Sequence, residues 1–320
     1  MNSFTESKSS TYYPNVIIID DSNPQPRRKP MTICLAIACD CDLDDEKISP
    51  KVIMVGDRML TIRGLDIEFE HPKTKLTQVT KNCIVASAGD ALATTELFDA
   101  VKQKLKLIKH SPQTRDIASA FKDAYVDLRR KKAEDTILKP IGINTIEAFY
   151  NPQQNLNPAI ALDLLKKIKK CDYNLQLLIG GVDNSGAHIY AIDDPGVMYS
   201  LDELGYDAIG SGNTHALLTV IGANYHSGTK FEEALYLAYK AKRMAEKAPG
   251  IGTVFTDIWV AERDAIYEIK QGSKDVKEGI KILEEMYDTE LKQAMKFDQL
   301  AEIAKTKIQN KKDSEVDNWN

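Results

Sequence analysis

A chain of 320 residues with 43% hydrophobic and 28% charged residues has the composition of an ordinary folded protein, enough for one large domain or two smaller ones with a substantial core. A net charge of −5 and a pI near 5.7 leave no global basic field to attract nucleic acid. No apolar run approaches the ~18 residues of a membrane span, and the longest near the N-terminus, 16–19, is far short of a signal-peptide core.

The five cysteines (Cys34, Cys39, Cys41, Cys83, Cys171) are odd in number and fall mostly in apolar strands. They read as buried, reduced thiols of a cytosolic protein. Cys39-x-Cys41 has no second pair and no nearby histidine, so it does not read as a zinc site, and no metal or cofactor is expected.

Residues 1–30 are rich in Ser, Asn and Pro and end in a short basic flank, Arg27-Arg28-Lys29, which reads as peripheral and solvated. The run from Thr32 to Cys39 is apolar, with β-branched and small residues, and reads as a covered strand entered at a threonine. An acidic loop over 40–47 leads to Val52-Ile53-Met54-Val55-Gly56-Asp57-Arg58, a second buried strand ending on a carboxylate. Two apolar runs across a short polar loop predict a hairpin, and the reversal brings Asp57 back toward the start of the first strand. Alternating faces predict a third strand over 71–79, and a fourth runs from Cys83 into the small residues Ala86, Ser87, Ala88 and Gly89.

Helical spacing follows over 91–109, with Leu92, Leu97, Val101 and Leu105 on one face, and over 113–131, with Ile117, Phe121, Ala124 and Leu128. Pro140, Gly142, Asn151-Pro152 and Asn157-Pro158 interrupt 132–171, which reads as an insertion holding a short helix over 159–170. Strands are then expected over 175–183, 188–192 and 206–210, helices over 213–224 and 230–247, and a closing hairpin over 253–260 and 265–269. Strands, two helices, strands, two helices, strands is the order of two stacked sheets with helices outside. From about 272 the chain is charged and helical in period, with Ile280, Leu283, Met286, Leu291 and Met295 as an apolar stripe; its last ten residues should fray.

Several site types are missing. There is no His-Glu-x-x-His, no phosphate-loop lysine and no Gly-x-Ser-x-Gly, and the five histidines follow no interpretable spacing. Thr32 offers a different chemistry. A chain that began there would carry an α-amine, with a pKa of roughly 7.7–8.0, about one side-chain length from its own hydroxyl. One residue would then supply nucleophile and base. The plain alternative is a strand entry in which threonine is a β-former, with Asp57-Arg58 as a strand-end ion pair. Gly210-Ser211-Gly212 before a helix is, alone, a weak anion-binding signal.

Taken together and in order, five local patterns decide between these readings. They are Thr32-Ile33 entering a strand, the run ending in Gly56-Asp57-Arg58, Lys75-Leu76, Leu177-Leu178-Ile179-Gly180-Gly181-Val182-Asp183, and Ile209-Gly210-Ser211-Gly212. In this set the chain resembles the proteasome β subunits and their bacterial relatives, members of the N-terminal-nucleophile (Ntn) hydrolases, over about residues 32–270. The resemblance implies an α+β fold, a four-layer αββα sandwich. Residues 1–31 would be an extension or propeptide and 271–320 a charged helical extension. It also implies peptide-bond hydrolysis through an acyl-enzyme on Thr32, with its α-amine as proton acceptor. Lys75 then matches the active-site lysine, whose charge favours loss of the hydroxyl proton and lowers the amine's pKa. Asp57 matches the carboxylate that orients this lysine, and Ser211 the serine that supports the amine. Ser87 matches the backbone N–H of the oxyanion site, typically worth about 3 kcal/mol.

The chain also departs from the pattern. Met31, not glycine, precedes Thr32, so exposure of the threonine follows either from translation starting at Met31 with methionine removal, or from cleavage of a true propeptide. The aspartate and serine that commonly precede a glycine pair are absent from 246–253, where Glu246 and Thr253 are the candidate substitutes, neither assigned. The resemblance implies a cytoplasmic threonine endopeptidase in a homo-oligomeric ring or stack, acting on peptides or unfolded protein, with no nucleic-acid or membrane partner. The chain has no nucleotide site of its own, so energy-dependent unfolding would come from an ATP-driven partner. The competing readings are a non-catalytic structural subunit and an Ntn amidase acting on small amides.

Overall fold

The structure, a computed structural model, describes residues 32–41, 48–62, 67–108, 111–151, 156–269 and 274–294. The expectations for residues 1–31, for most of the acidic loop over 40–47, for Met295 and for the last ten residues lie outside them. The first strand, β1 (Cys34–Cys41), pairs antiparallel with β2 (Ile48–Gly56) as the hairpin reading requires. A further ribbon, β3 (Met59–Ile62) and β4 (Ile67–Glu70), was not foreseen. Then come β5 (Leu76–Thr80), β6 (Cys83–Ala88), α1 (Ala91–Leu105) and α2 (Thr114–Ala133).

The interrupted stretch begins with a wide π turn over Glu134–Leu138 and a 3₁₀ turn over Lys139–Ile141. Pro140 has no N–H to continue the ladder, and Gly142 closes the turn at φ +84°. The segment continues through α3 (Ile146–Phe149) and α4 (Pro158–Lys170), where the Asn157 side chain caps the Ala159 N–H at 2.9 Å. Leu138, Ile143, Phe149 and Leu164 give it a small core of its own.

The chain resumes with β7 (Gln176–Asp183), β8 (Gly186–Asp193), β9 (Val197–Ser200) and β10 (Tyr206–Ile209). It ends, among the described residues, with α5 (Asn213–Gly222), α6 (Phe231–Ala245), β11 (Asp257–Ala261), β12 (Ile266–Ile269) and α7 (Lys274–Ala294).

Two five-stranded antiparallel sheets result, in the orders β10-β1-β2-β11-β12 and β5-β6-β7-β8-β9. The period-2 geometry of a strand sorts their side chains into separate cores. Cys34, Ala36, Val52 and Met54 meet Ile84, Ala86, Leu178 and Ile189 between the sheets. The alternate residues Leu35, Ile37, Ile53 and Val55 pack on α5, α6 and α7. On the second sheet Val85, Leu177 and Ile179 pack on α1 and α2. Strands covered on both faces explain the unbroken apolar runs. The sheets also approach closely: a Cβ on Gly180 would lie 2.7 Å from Val52 Cγ1 and 3.1 Å from Met54 Sδ.

Two details differ from the helical patterns. Leu92, on the first turn of α1, is exposed, while Leu97 and Val101 carry the buried face. On α7 Tyr287 is buried beside Ile280 and Leu283, whereas Met286 is exposed, because the buried stripe runs one position later at that turn.

Candidate active site

Thr32 lies two residues before Cys34 at the head of β1, buried, and the fold brings two charged groups to its hydroxyl. The β1–β2 register sets Cys34 opposite Gly56, so the chain leaving β2 delivers Asp57 beside Thr32. The Asp57 N–H donates to the Ile33 carbonyl at 3.2 Å, which fixes this corner. Thr32 Oγ1–H donates to Asp57 Oδ1 at 2.5 Å, and the Ile33 N–H reaches the same oxygen at 3.3 Å. Lys75, just before β5, donates from Nζ to Asp57 Oδ1 at 2.7 Å and to Thr32 Oγ1. The Gly252 N–H donates to Asp57 Oδ2 at 2.9 Å. The carboxylate is thus saturated by four donors from three segments. Its side chain is 0% exposed and that of Lys75 10% exposed. An ion pair taken this far from water needs such extra hydrogen bonds to hold its geometry.

The hydroxyl oxygen therefore has one partner that accepts its proton and one cation that lowers the cost of negative charge on it. Cys34, two residues on, is no competing nucleophile. Burial pushes its thiol up to about 12, against the opposing influence of the Lys75 charge.

A glycine turn lies beneath Thr32. Gly210 sits at φ +92°, and a Cβ there would collide with the Thr32 carbonyl, so the close approach requires glycine. The Gly212 N–H donates to the Thr32 carbonyl oxygen at 3.2 Å. Ser211 lies between them, and its hydroxyl oxygen is buried without a hydrogen-bond partner. Gln176 fastens this turn to the second sheet: its Oε1 accepts the Gly210 N–H at 3.1 Å while Nε2 donates to Asp193 at 3.0 Å. Ser87 is half-buried on β6. Leu76 pairs with Ala86, so one further step of the register sets Ser87 opposite Lys75, and its carbonyl faces Cys34 Sγ at 4.0 Å.

Thr32, Asp57 and Lys75 are thus in direct contact, Ser211 follows a residue that touches Thr32, and Ser87 is across the strand pair from Lys75. Neither candidate of the 246–253 loop joins them. Glu246 pairs with Lys242 at 2.5 Å and Arg243 at 3.0 Å, and Thr253 is exposed. Gly252, Gln176 and Glu70 were not singled out in the sequence. A β3–β4 ribbon could have been read from the alternation either side of Gly64, but a backbone donor such as Gly252 leaves no residue-type signal. Among the described residues, no cluster of three or more metal-ligating side chains is present.

A threonine at the head of a central strand, held between lysine and aspartate within two helix-flanked antiparallel sheets, defines the class of Ntn hydrolases. Comparison with known proteins agrees. A family model described as proteasome subunit matches residues 157–254. A proteasome subunit beta of Ferroglobus placidus is 30% identical over 196 residues, 58% of this chain and 89% of that protein. Proteasome subunit beta 2 of Thermofilum pendens is 30% identical over 126 residues, 38% of this chain and 60% of that protein. Proteasome subunit beta 2 of Staphylothermus marinus is 39% identical over 93 residues, 29% of this chain and 43% of that protein. The chain belongs to the proteasome β-subunit family of Ntn hydrolases.

Proposed function

We propose that the protein is a threonine-type peptidase that hydrolyses peptide bonds through an acyl-enzyme on Thr32 once residues 1–31 have been removed. One observation carries this reading: the Thr32 hydroxyl lies between the Lys75 ammonium and the Asp57 carboxylate, in a buried corner built from distant segments. In the reaction Thr32 Oγ attacks the scissile carbonyl and the freed α-amine takes the hydroxyl proton. The peptide C–N bond then breaks as that proton passes to the leaving amine, and water hydrolyses the ester. Lys75 stabilises the developing alkoxide, Asp57 orients Lys75, and the Ser87 N–H receives the oxyanion. The buried, unpartnered Ser211 hydroxyl, between Gly210 and Gly212 beneath Thr32, is the group this scheme assigns to a new terminal amine there.

The same reading takes 32–270 as one Ntn hydrolase domain, a four-layer αββα sandwich with the insertion over 132–171, flanked by extensions at 1–31 and 271–320. The chain would act in the cytoplasm as a homo-oligomeric ring or stack on peptides or unfolded protein, fed by an ATP-driven unfoldase where substrates are folded. No helix among the described residues is long and apolar enough to cross a membrane.

A second reading, a non-catalytic structural subunit, draws on the 31 residues encoded before Thr32, which would keep its nitrogen an amide. Intact mass and N-terminal sequencing of the protein from its native host separate the two. A mature chain starting at Thr32 is the expected result. Assembled protein that keeps residues 1–31 would favour the structural subunit. Assays on small amides beside fluorogenic peptides separate peptidase from amidase.

A further inference from the structure

Beyond Ile251, which is buried in the helix-side core, the loop that supplies the Gly252 N–H has little of its own to hold it in place. Thr253 and Val254 are exposed, and Phe255 is half-buried with the Arg58 guanidinium 4.8 Å from its ring centroid. Four consecutive backbone N–H groups, from Gly252 to Phe255, nevertheless all find carboxylate acceptors. Gly252 donates to Asp57; the next three donate to Glu70. Glu70 Oε1 accepts from Thr253 at 2.5 Å and Val254 at 2.8 Å, and Oε2 accepts from Phe255 at 3.0 Å.

Glu70 is itself fixed close to Asp57. It ends β4 opposite Met59, and the next residue, His71, donates its N–H to the Arg58 carbonyl at 3.0 Å. Asp57 and Glu70 therefore stand side by side at one end of the β3–β4 ribbon, with Gly252 between them. A Cβ on Gly252 would lie 2.9 Å from Glu70 Oε1 and 3.4 Å from Asp57 Cβ.

We propose that Glu70 is a positioning residue of the Thr32 site: by gathering the N–H groups of residues 253–255 it presents the Gly252 N–H to Asp57, and through Asp57 sets Lys75 against the Thr32 hydroxyl. The proposal rests on the reading of Thr32 and Asp57 as a hydrolytic centre. A carboxylate accepting several backbone N–H bonds is a strong fixture, since hydrogen bonds to an ionised acceptor are roughly twice as strong as neutral ones. Its loss leaves three N–H groups to solvent and frees the loop. A displacement of about 1 Å at a catalytic group can cost on the order of 10²-fold in rate.

The test uses the mature protein, expressed as the full chain and processed to begin at Thr32, with Glu70→Ala, Glu70→Gln and Gly252→Ala. Three quantities are read: kcat and KM on a fluorogenic peptide, the rate at which a β-lactone acylates Thr32 (by intact mass), and amide hydrogen exchange across 250–257. Glu70→Ala is expected to lower kcat and the acylation rate by about 10–100-fold with KM within about twofold. Exchange across 250–257 should rise at least about tenfold while protection elsewhere is kept. Glu70→Gln should recover part of both, because its amide oxygen still accepts from Thr253 and Val254. Gly252→Ala should reproduce the kcat loss with Glu70 intact.

Unchanged kcat, or unchanged exchange across 250–257, overturns the proposal. If Glu70→Ala does not fold, the other two variants decide by the same criteria. If the wild type neither hydrolyses peptide nor is acylated at Thr32, the peptidase reading falls instead. The positioning claim is then decided by exchange alone, upheld by faster exchange across 250–257 and overturned by an unchanged rate.

Discussion

Two clusters in this molecule set a hydroxyl between a nitrogen donor and a carboxylate. One is Thr32 with Lys75 and Asp57. The other lies in the β7–β8 turn, where Ser185 Oγ is 2.6 Å from Asp183 Oδ1 and 2.8 Å from His188 Nε2, and His188 Nδ1 is 2.9 Å from Asp202 Oδ2. On paper the second is a serine–histidine–aspartate array. Its proton runs the wrong way for one. Asp183 is acceptor-only when ionised, so Ser185 donates its single proton there. With the hydroxyl proton directed at Asp183, His188 Nε2 can only donate toward the serine oxygen, and in that arrangement it takes no proton from it.

The clusters differ most in how they are assembled. The Ser185 hydroxyl lies two residues from Asp183 and three from His188, and the Ser185 N–H also donates to Asp183, at 2.9 Å. Such contacts are what a polar turn makes for itself. The longer reaches, 14 residues from His188 to Asp202 and 69 from Asp183 to the Thr114 N–H, do not touch the hydroxyl. Thr32 meets partners 25 and 43 residues away, and Asp57 reaches 195 residues to Gly252. Only the completed fold can bring those together. Sequence distance within a polar cluster thus separates a turn that satisfies itself from a site that the fold has built.

The sharpest way to break this comparison is to delete each hydroxyl. Thr32→Ala in the mature chain should lower kcat on fluorogenic peptides by at least about 10³-fold, the scale on which lost nucleophiles act. Ser185→Ala should leave kcat within about twofold. Peptidase activity that survives Thr32→Ala, or vanishes with Ser185→Ala, would reverse the roles assigned to the two clusters.

The carboxylates should differ next. Asp57→Asn leaves the Lys75 ammonium nearly buried without its counter-charge, which typically costs about 3–5 kcal/mol. Asp202, with its side chain 37% exposed beside the 17% exposed His188, belongs to a solvated pair worth no more than about 1 kcal/mol. Urea unfolding of Asp57→Asn and Asp202→Asn should show that gap in midpoint with similar slopes. Equal midpoints would mean that the Thr32 cluster is no more interdependent than the turn.

Gly210→Ala should fall between these effects. The positive φ and the Thr32 carbonyl together oppose a Cβ, and strain of this kind costs of order 1–3 kcal/mol. Gly186 in the β7–β8 turn also has a positive φ, +134°, but nothing lies within 4 Å of a Cβ built there. Gly186→Ala should therefore cost less. Melting temperatures of the two variants make the check, and a larger fall for Gly186→Ala would remove the packing argument at Gly210.

The same distinction explains what could be read from the sequence. Apolar runs long enough to be covered on both faces located β1, β2, β6 and β7, and helical spacing located α1, α2, α5 and α6. Three four-residue strands escaped, while β10 and β12, equally short, were read from the glycine turn and the closing hairpin beside them. β3 and β4 have four residues each, with an alternation too short to stand out until the two are paired across Gly64, and β9 has four with only Met198 packed against the helix-side core. At the site, the hairpin reversal already pointed Asp57 toward Thr32, whereas Lys75 and Ser211 stood out only as residue types in the order of the family's motifs. The Gly252 N–H and the Glu70 carboxylate carry no such motif. Their partners are 195 and 183–185 residues away, and nothing local marks them.

The smallest effect concerns acid. Burial works to raise the Asp183 carboxyl, but hydrogen bonds from the Ser185 hydroxyl and N–H and from the Thr114 N–H, with the nearby His188 ring, outweigh it and hold the group below the usual carboxylate range. A folded-state value below the unfolded ~3.9 means that the unfolded chain takes up this proton first as pH falls. The stabilisation is therefore complete above about pH 5 and lost as pH drops through the depressed value. Asp183→Asn should destabilise the protein slightly at pH 7, by under about 1 kcal/mol after solvent screening, and its deficit against wild type should shrink as pH falls below the unfolded value. Urea midpoints at pH 7, 5 and 3 read this directly. A deficit that stays the same from pH 7 to pH 3 would mean that Asp183 matters through the shape of the turn and the start of α2, and that its charge contributes nothing.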